Sequence, residues 1–264
     1  MTIHQGFDIS GRTALITGGT SGLGRAIAVG MARAGARVFA GSRDPGKVAD
    51  TRAELQALSP GSDAFGLDVA DPASVEAAVA RVRDEADRLD ILVCAAGITH
   101  KAPALEMSLD DWDRVLRVNL TGTFLACQAA ARVMKDQEGG GAIVNIASLA
   151  STVGLAWVAG YCAGKAGVME LTRVLAVEWA QQGIRVNAIA PGVFPTPLNR
   201  ALIEGTPRGN WFRNHTPMAR FGDAEELVGA AIYLASPAAS YVTGETLAVD
   251  GGFLACGVPA NPPA

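Results

Sequence analysis

The chain has 264 residues, 49% of them hydrophobic and 18% charged, and a formal net charge of -4. Such a length and apolar content fit a single α/β domain over residues 1–264. It contains no block of like charges, no basic stripe and no apolar run of about 18 residues, so neither nucleic acid nor a membrane is expected as a partner.

The opening "MTIHQGFDIS" lacks the apolar stretch of a signal peptide, and none is expected. The first predicted strand, "TALITG" (13–18), runs through a glycine turn into the helical stretch "GRAIAVGMARAGA" (24–36). Gly18, Gly22 and Gly24 give T-G-x-x-x-G-x-G between strand and helix. Glycines there let the backbone turn tightly and approach a pyrophosphate, and the helix offers that anion free N–H groups. Residues 18–24, with Thr20, Ser21 and Leu23 in the turn, are therefore the expected dinucleotide loop.

The second strand, "RVFAGS" (37–42), ends at Ser42, with Arg43 and Asp44 next. An acidic residue at this point binds ribose hydroxyls, whereas arginine suits a 2′-phosphate. Ser42 takes the acidic place, so NADP(H) is favoured over NAD(H), and Asp44 keeps NAD(H) open. Further strands are predicted at "AFGLDV" (64–69), "DILVCAAG" (90–97), "AIVNIAS" (142–148), "RVNAIAPG" (185–192) and "TLAVDGG" (246–252). Helical stretches cover 72–88, 112–134 and 155–181. Apolar strands alternating with helices imply a doubly wound parallel sheet of about seven strands with helices on both faces. Residues 191–223, irregular and following a strand's carboxyl end, are expected to cover a substrate. The tail 255–264 is expected to be irregular.

Tyr161 and Lys165 lie four apart in the helix at 155–181 and so share a face. Cys94, Cys127, Cys162 and Cys256 form no C-x-x-C pair, which fits small buried hydrophobes in a reducing, cytoplasmic setting. His4, His100 and His215 are too scattered for a metal cluster, and no metal is expected.

"TGGTSGLG" (17–24), "LDV" (67–69), "CAAG" (94–97), "RVNLTG" (117–122), "IAS" (146–148), "YCAGK" (161–165), "RVNAIAPG" and "TLAVDGG" come in an order that resembles the short-chain dehydrogenase/reductase family. The likeness spans about residues 8–254. It implies a Rossmann-type sheet, NAD(P)(H) and a homo-oligomer, often a tetramer. It also implies Tyr161 as general acid/base, Lys165 as its helper, Ser148 as the substrate-orienting hydroxyl and Asn119 as support for a proton-relay water. By the same resemblance Asp68 and Val69 neighbour the adenine, and Ala95, Ala96 and Gly97 border the cofactor. Pro191, Gly192 and Val193 line the nicotinamide pocket, and Thr196 meets the carboxamide. Cys94 and Ala95 depart from the family's common N-N-A-G, which removes two amide side chains from that strand end.

Free tyrosine titrates near pH ~10, and a neighbouring ammonium favours the phenolate, as does an oxidised nicotinamide. Lys165 is placed to supply the ammonium, and the Ser148 hydroxyl to bond a carbonyl oxygen. The expected reaction is hydride transfer between a secondary alcohol and a ketone. The stretches 191–202 and 215–236 resemble the subgroup of gluconate 5-dehydrogenases and related sugar-acid oxidoreductases, so a small polyol or sugar acid is the expected substrate. Arg200, Arg208, Arg213 and Arg220 are candidates to pair with its carboxylate, and His215 to touch it. The alternatives are a 3-oxoacyl thioester reductase and, in another class, a catalytically silent cofactor-sensing regulator.

Overall fold

The computed structural model describes residues 6–257; the predicted tail beyond 257 and His4 lie outside the described residues. Seven apolar runs form the strands β1 (Thr13–Thr17), β2 (Arg37–Ser42), β3 (Asp63–Gly66), β4 (Ile91–Cys94), β5 (Gly141–Ile146), β6 (Ile184–Pro191) and β7 (Thr246–Val249). They build one parallel sheet in the order β3-β2-β1-β4-β5-β6-β7. Every residue of β1 and β4 is buried, as expected of strands covered on both faces.

Alternation along each strand divides the core in two. Leu15, Phe39, Leu92 and Ile143 pack on one side with α3 (Pro72–Ala86), α5 (Gly122–Met134) and α6 (Ala159–Trp179). Ile16, Val38, Val93 and Val144 pack on the other with α1 (Gly22–Arg33), α2 (Pro45–Leu58) and α9 (Val228–Ala235). The chain reverses its winding between β1 and β4, which opens a crevice at the strands' carboxyl ends.

Helix starts follow short polar residues. Asp44 caps α2, Asp71 caps α3, Ser108 caps α4 (Leu109–Leu116) and Thr206 caps α8 (Pro207–His215). Pro45, Pro72 and Pro207 follow their caps, where a missing N–H costs nothing. By contrast α1 receives no side-chain cap from Ser21, so its first N–H groups are left for a ligand.

Three sequence expectations change. The helix expected over 112–134 is broken by a π turn at Arg117–Thr121. Within it Asn119 turns its amide to the main chain of Ile98, and Thr123 Oγ1 donates to the Asn119 carbonyl. The irregular segment 191–223 contains α7 (Arg200–Ile203) and α8. Gly205, at φ +68°, separates them, and the Thr206 cap starts the second. The strand expected to reach 252 stops at Val249, because Gly251 and Gly252 adopt positive φ over the Asp250 carboxylate.

Candidate functional site

A cleft of about 440 Å³ lies at the carboxyl ends of the strands, within the size range of small-molecule sites. One side is the turn Gly18–Gly24, with Thr20, Ser21, Gly22 and Leu23 all lining it. Gly18 has φ +68°, and a Cβ there would sit 2.7 Å from Ala96 Cα. A Cβ on Gly24 would collide with the Gly18 carbonyl oxygen. Side chains are thus excluded where backbone must close up, and the open end of α1 follows. Asp68 and Val69 line the same cleft, as do Ala95, Ala96 and Gly97 after β4. Pro191 at the end of β6, with Gly192 and Thr196 after it, also lines it. This donor set fits a dinucleotide: uncapped helix N–H groups, bare glycine backbone and no acidic group in the turn.

Ser148, Tyr161 and Lys165 line the cleft beside the end of β5. Ser148 starts a 3-10 turn, its hydroxyl accepting from Ala150 N at 3.1 Å. Ser151 in that turn donates to the Lys165 carbonyl at 2.8 Å, tying the turn to α6. Lys165 is 5% exposed, and its Nζ donates to the Ile146 carbonyl at 2.5 Å. That ammonium lies 5.9 Å from the centre of the Tyr161 ring. Burial lowers the Lys165 pKa from 10.5 to about 8, opposed only weakly by the Cys94 side. Burial also raises Tyr161 above its ordinary value, against a smaller downward pull from the Ser148 hydroxyl. The expectation that Lys165 makes the phenol acidic is therefore not met by the protein's own groups. Desolvation is the largest influence on both groups, and the ammonium is already bonded to the Ile146 carbonyl.

Two expected residues stand apart from the cleft lining. Asn119 is fully buried; it accepts from Ile98 N at 2.8 Å and donates to the Ile98 carbonyl at 2.9 Å. Its amide holds the loop after β4, behind Gly97. Val193 gives way to Phe194, which lines the cleft, while the Val193 carbonyl accepts from Gly222 N. Asn199 also lines the cleft; it accepts from Thr196 N and donates to the Phe194 carbonyl, shaping the loop. The sequence carried a signal for Asn199 in the turn-forming "PTPLN". None marked Phe194.

Cys94 meets the other buried cysteine, Cys127, with their Sγ atoms 3.9 Å apart. Cys127 donates to Asn145 Oδ1, and Asn145 Nδ2 donates to Thr172 Oγ1 at 3.0 Å. The Asn145 amide, on the next strand, thus ties β5 to Cys127 of α5 and Thr172 of α6. Cys162 and Cys256 are half-buried.

At the far end, Ser42 and Arg43 line the cleft with Asp44 and Lys47. The Thr20 hydroxyl donates to Ser42 Oγ at 2.5 Å. Asp44, which kept NAD(H) open in the sequence, is fully engaged. Its Oδ1 accepts from Gly46 N and Lys47 N at 3.1 and 3.2 Å, and its Oδ2 lies 3.1 Å from Lys47 Nζ. Among the described residues Arg43 forms no ion pair.

In the segment 191–223 three of the four arginines are occupied. Arg200 pairs with Glu204 at 3.4 Å, Arg213 donates to Asn210, and Arg220 makes two 2.7 Å bonds to Glu226. Arg208 has no carboxylate partner among the described residues; it lies 5.9 Å from the Trp157 ring centre. Lys101, likewise without one, lies 4.8 Å from the same ring. Trp157 holds φ +70°, a costly state for an aromatic residue, in the loop leading to Tyr161. His215 stacks on Trp211 at 3.9 Å and does not line the cleft. Among the described residues no group of His, Cys, Asp and Glu is arranged to hold a metal ion, and no helix is long and apolar enough to cross a membrane.

Sheet order, glycine turn and crevice together define a dinucleotide-binding α/β protein. A family model described as enoyl-(acyl carrier protein) reductase matches residues 18–254. The chain is 44% identical over 253 residues to a D-threitol dehydrogenase of Mycolicibacterium smegmatis, covering 96% of each. It is 37% identical to a gluconate 5-dehydrogenase of Gluconobacter oxydans, covering 93% of this chain and 96% of that one. A crystal structure of a gluconate 5-dehydrogenase from Burkholderia cenocepacia, in complex with NADP and tartrate, superposes with a TM-score of 0.90 at 40% identity, covering 96% and 99%. The chain belongs to the short-chain dehydrogenase/reductase family and is an NAD(P)-dependent oxidoreductase.

Proposed function

We propose that the protein interconverts a secondary alcohol and a ketone on a small polyol or sugar acid, with NADP(H) preferred and Tyr161 as general acid/base. One observation carries the reading: Ser148, Tyr161 and Lys165 line the same cleft as the glycine turn. When bound, the nicotinamide supplies hydride chemistry that no side chain can. The protein's task is to hold the carbonyl and exchange a proton at its oxygen. Tyr161 Oη is that proton's carrier, and the Ser148 hydroxyl orients the oxygen. Raised by burial, the phenol holds its proton and serves well as an acid toward an alkoxide. Releasing the proton in the oxidative direction requires positive charge beyond that of Lys165.

The names of relatives support the substrate class, since one acts on D-threitol and another on gluconate. Lys101 and Arg208, both beside Trp157 and outside the cleft lining, have no carboxylate partner among the described residues and are the cations available to a sugar acid's carboxylate. The unpaired Arg43 supports the NADP(H) preference. The test is a turnover panel of keto sugar acids, polyols and acetoacetyl thioesters, each with NADPH and NADH. Turnover on the first two classes, faster with NADPH, is expected. Activity confined to acetoacetyl thioesters overturns the substrate class, and cofactor binding with no turnover anywhere overturns the enzymatic reading.

A further inference from the structure

We propose that Lys47, in the first turn of α2, is a second specificity-determining cation for the cofactor's 2′-phosphate, and that it also neutralises Asp44. The inference rests on the NADP(H) preference proposed above and goes further than Arg43. Four residues meet at this end of the cleft: Ser42, Arg43, Asp44 and Lys47. A free carboxylate here would accept from ribose hydroxyls and repel a phosphate. Asp44 is not free. Two backbone N–H groups of α2 hold Oδ1, and the Lys47 ammonium holds Oδ2 at 3.1 Å. The same contacts lower the Asp44 pKa, so it stays ionised and must be balanced rather than neutralised by a proton. With Arg43 and Lys47 against it, the local balance is one net positive charge.

The Lys47 side chain is 52% exposed and that of Asp44 48%. An exposed lysine–carboxylate pair contributes little, so the ammonium can turn from Asp44 to an arriving phosphate at small cost. Asp44 does not swing after it, because the capping bonds remain. A phosphate offers the ammonium more charge and more acceptor oxygens than a shared carboxylate. NAD(H), with hydroxyls only, gains nothing from the move. Lys47 thus separates the two cofactors, whereas a merely structural lysine would affect both alike.

The test is calorimetric binding of NADP+ and NAD+, and of 2′-phosphorylated AMP and AMP as fragments, to the full chain and its variants. Lys47→Ala, which places a strong helix former on an exposed turn, is expected to keep the fold. It should weaken NADP+ about tenfold and leave NAD+ within about twofold, with the fragments following the same split. Lys47→Arg should restore NADP+ affinity. Asp44→Asn, which keeps the cap and removes the charge, should tighten NADP+. A parent that binds NAD+ more tightly than NADP+ overturns both this inference and the NADP(H) reading. A parent that prefers NADP+ while Lys47→Ala keeps the same ratio overturns the role of Lys47 alone.

Discussion

Burial sets the behaviour of the two residues one turn apart on α6. Lys165 is charged below a pKa of about 8 instead of 10.5, because little water reaches Nζ and one carbonyl replaces it. Below pH 8 both folded and unfolded chains carry the proton, and the folded one bears the full cost of a buried ammonium. Between about 8 and 10.5 the unfolded chain binds more protons, so this residue's contribution to stability rises with pH. The displacement corresponds to about 3 kcal/mol, less what the Ile146 bond returns. Lys165→Met is therefore expected to stabilise the fold by about 1–3 kcal/mol at pH 7. The gain should vanish above pH 10.5, as urea unfolding at several pH values would show. A gain that grows with pH would contradict the assignment. The spacing of Tyr161 and Lys165 was plain in the sequence. The sign of their shifts was not, since desolvation depends on what the fold places around them.

Among the elements, the turn between β1 and α1 was the most legible, because glycine alone fits where a Cβ on residue 18 would sit 2.7 Å from Ala96 Cα. Gly24→Ala should abolish detectable dinucleotide binding in a fluorescence titration, its methyl being driven into the Gly18 carbonyl. The π turn was hidden, since "RVNLTG" continues a helical pattern on either side. Its cause is tertiary: the Asn119 amide satisfies both main-chain groups of Ile98 across the cleft's rim. Asn119→Ala leaves those two half-buried main-chain groups unpaired and should destabilise the protein by about 1–3 kcal/mol in thermal unfolding. An unchanged midpoint would mean that the loop finds other partners. The capping role of Asp44 was readable in the sequence. "RDPGK" has the pattern of a helix cap followed by proline at N1, and capping consumes the carboxylate that would otherwise address a ribose.

For the molecule as a whole, the parallel sheet was legible because covered strands are uninterrupted apolar runs bounded by glycine. The covering segment was read as a loop because its helices are short and start at Thr206 and Asn199 rather than from an apolar period. Helices α5 and α6 leave Phe124, Val174 and Val177 exposed, Val177 at 81%. Such a surface supports a homo-oligomer, and sedimentation equilibrium is expected to give four copies of the 27.1 kDa chain. A monomer would contradict it.

The proposed function requires one cleft both to hold the dinucleotide and to present the half-buried Tyr161 phenol to the reacting oxygen. Tyr161→Phe with NADPH and a keto sugar acid tests it most directly, with affinity and turnover measured on the same preparation. NADPH affinity within about twofold of the parent, and turnover lower by about 100-fold or more, is the predicted result. Turnover within about tenfold of the parent would mean that the proton comes from elsewhere.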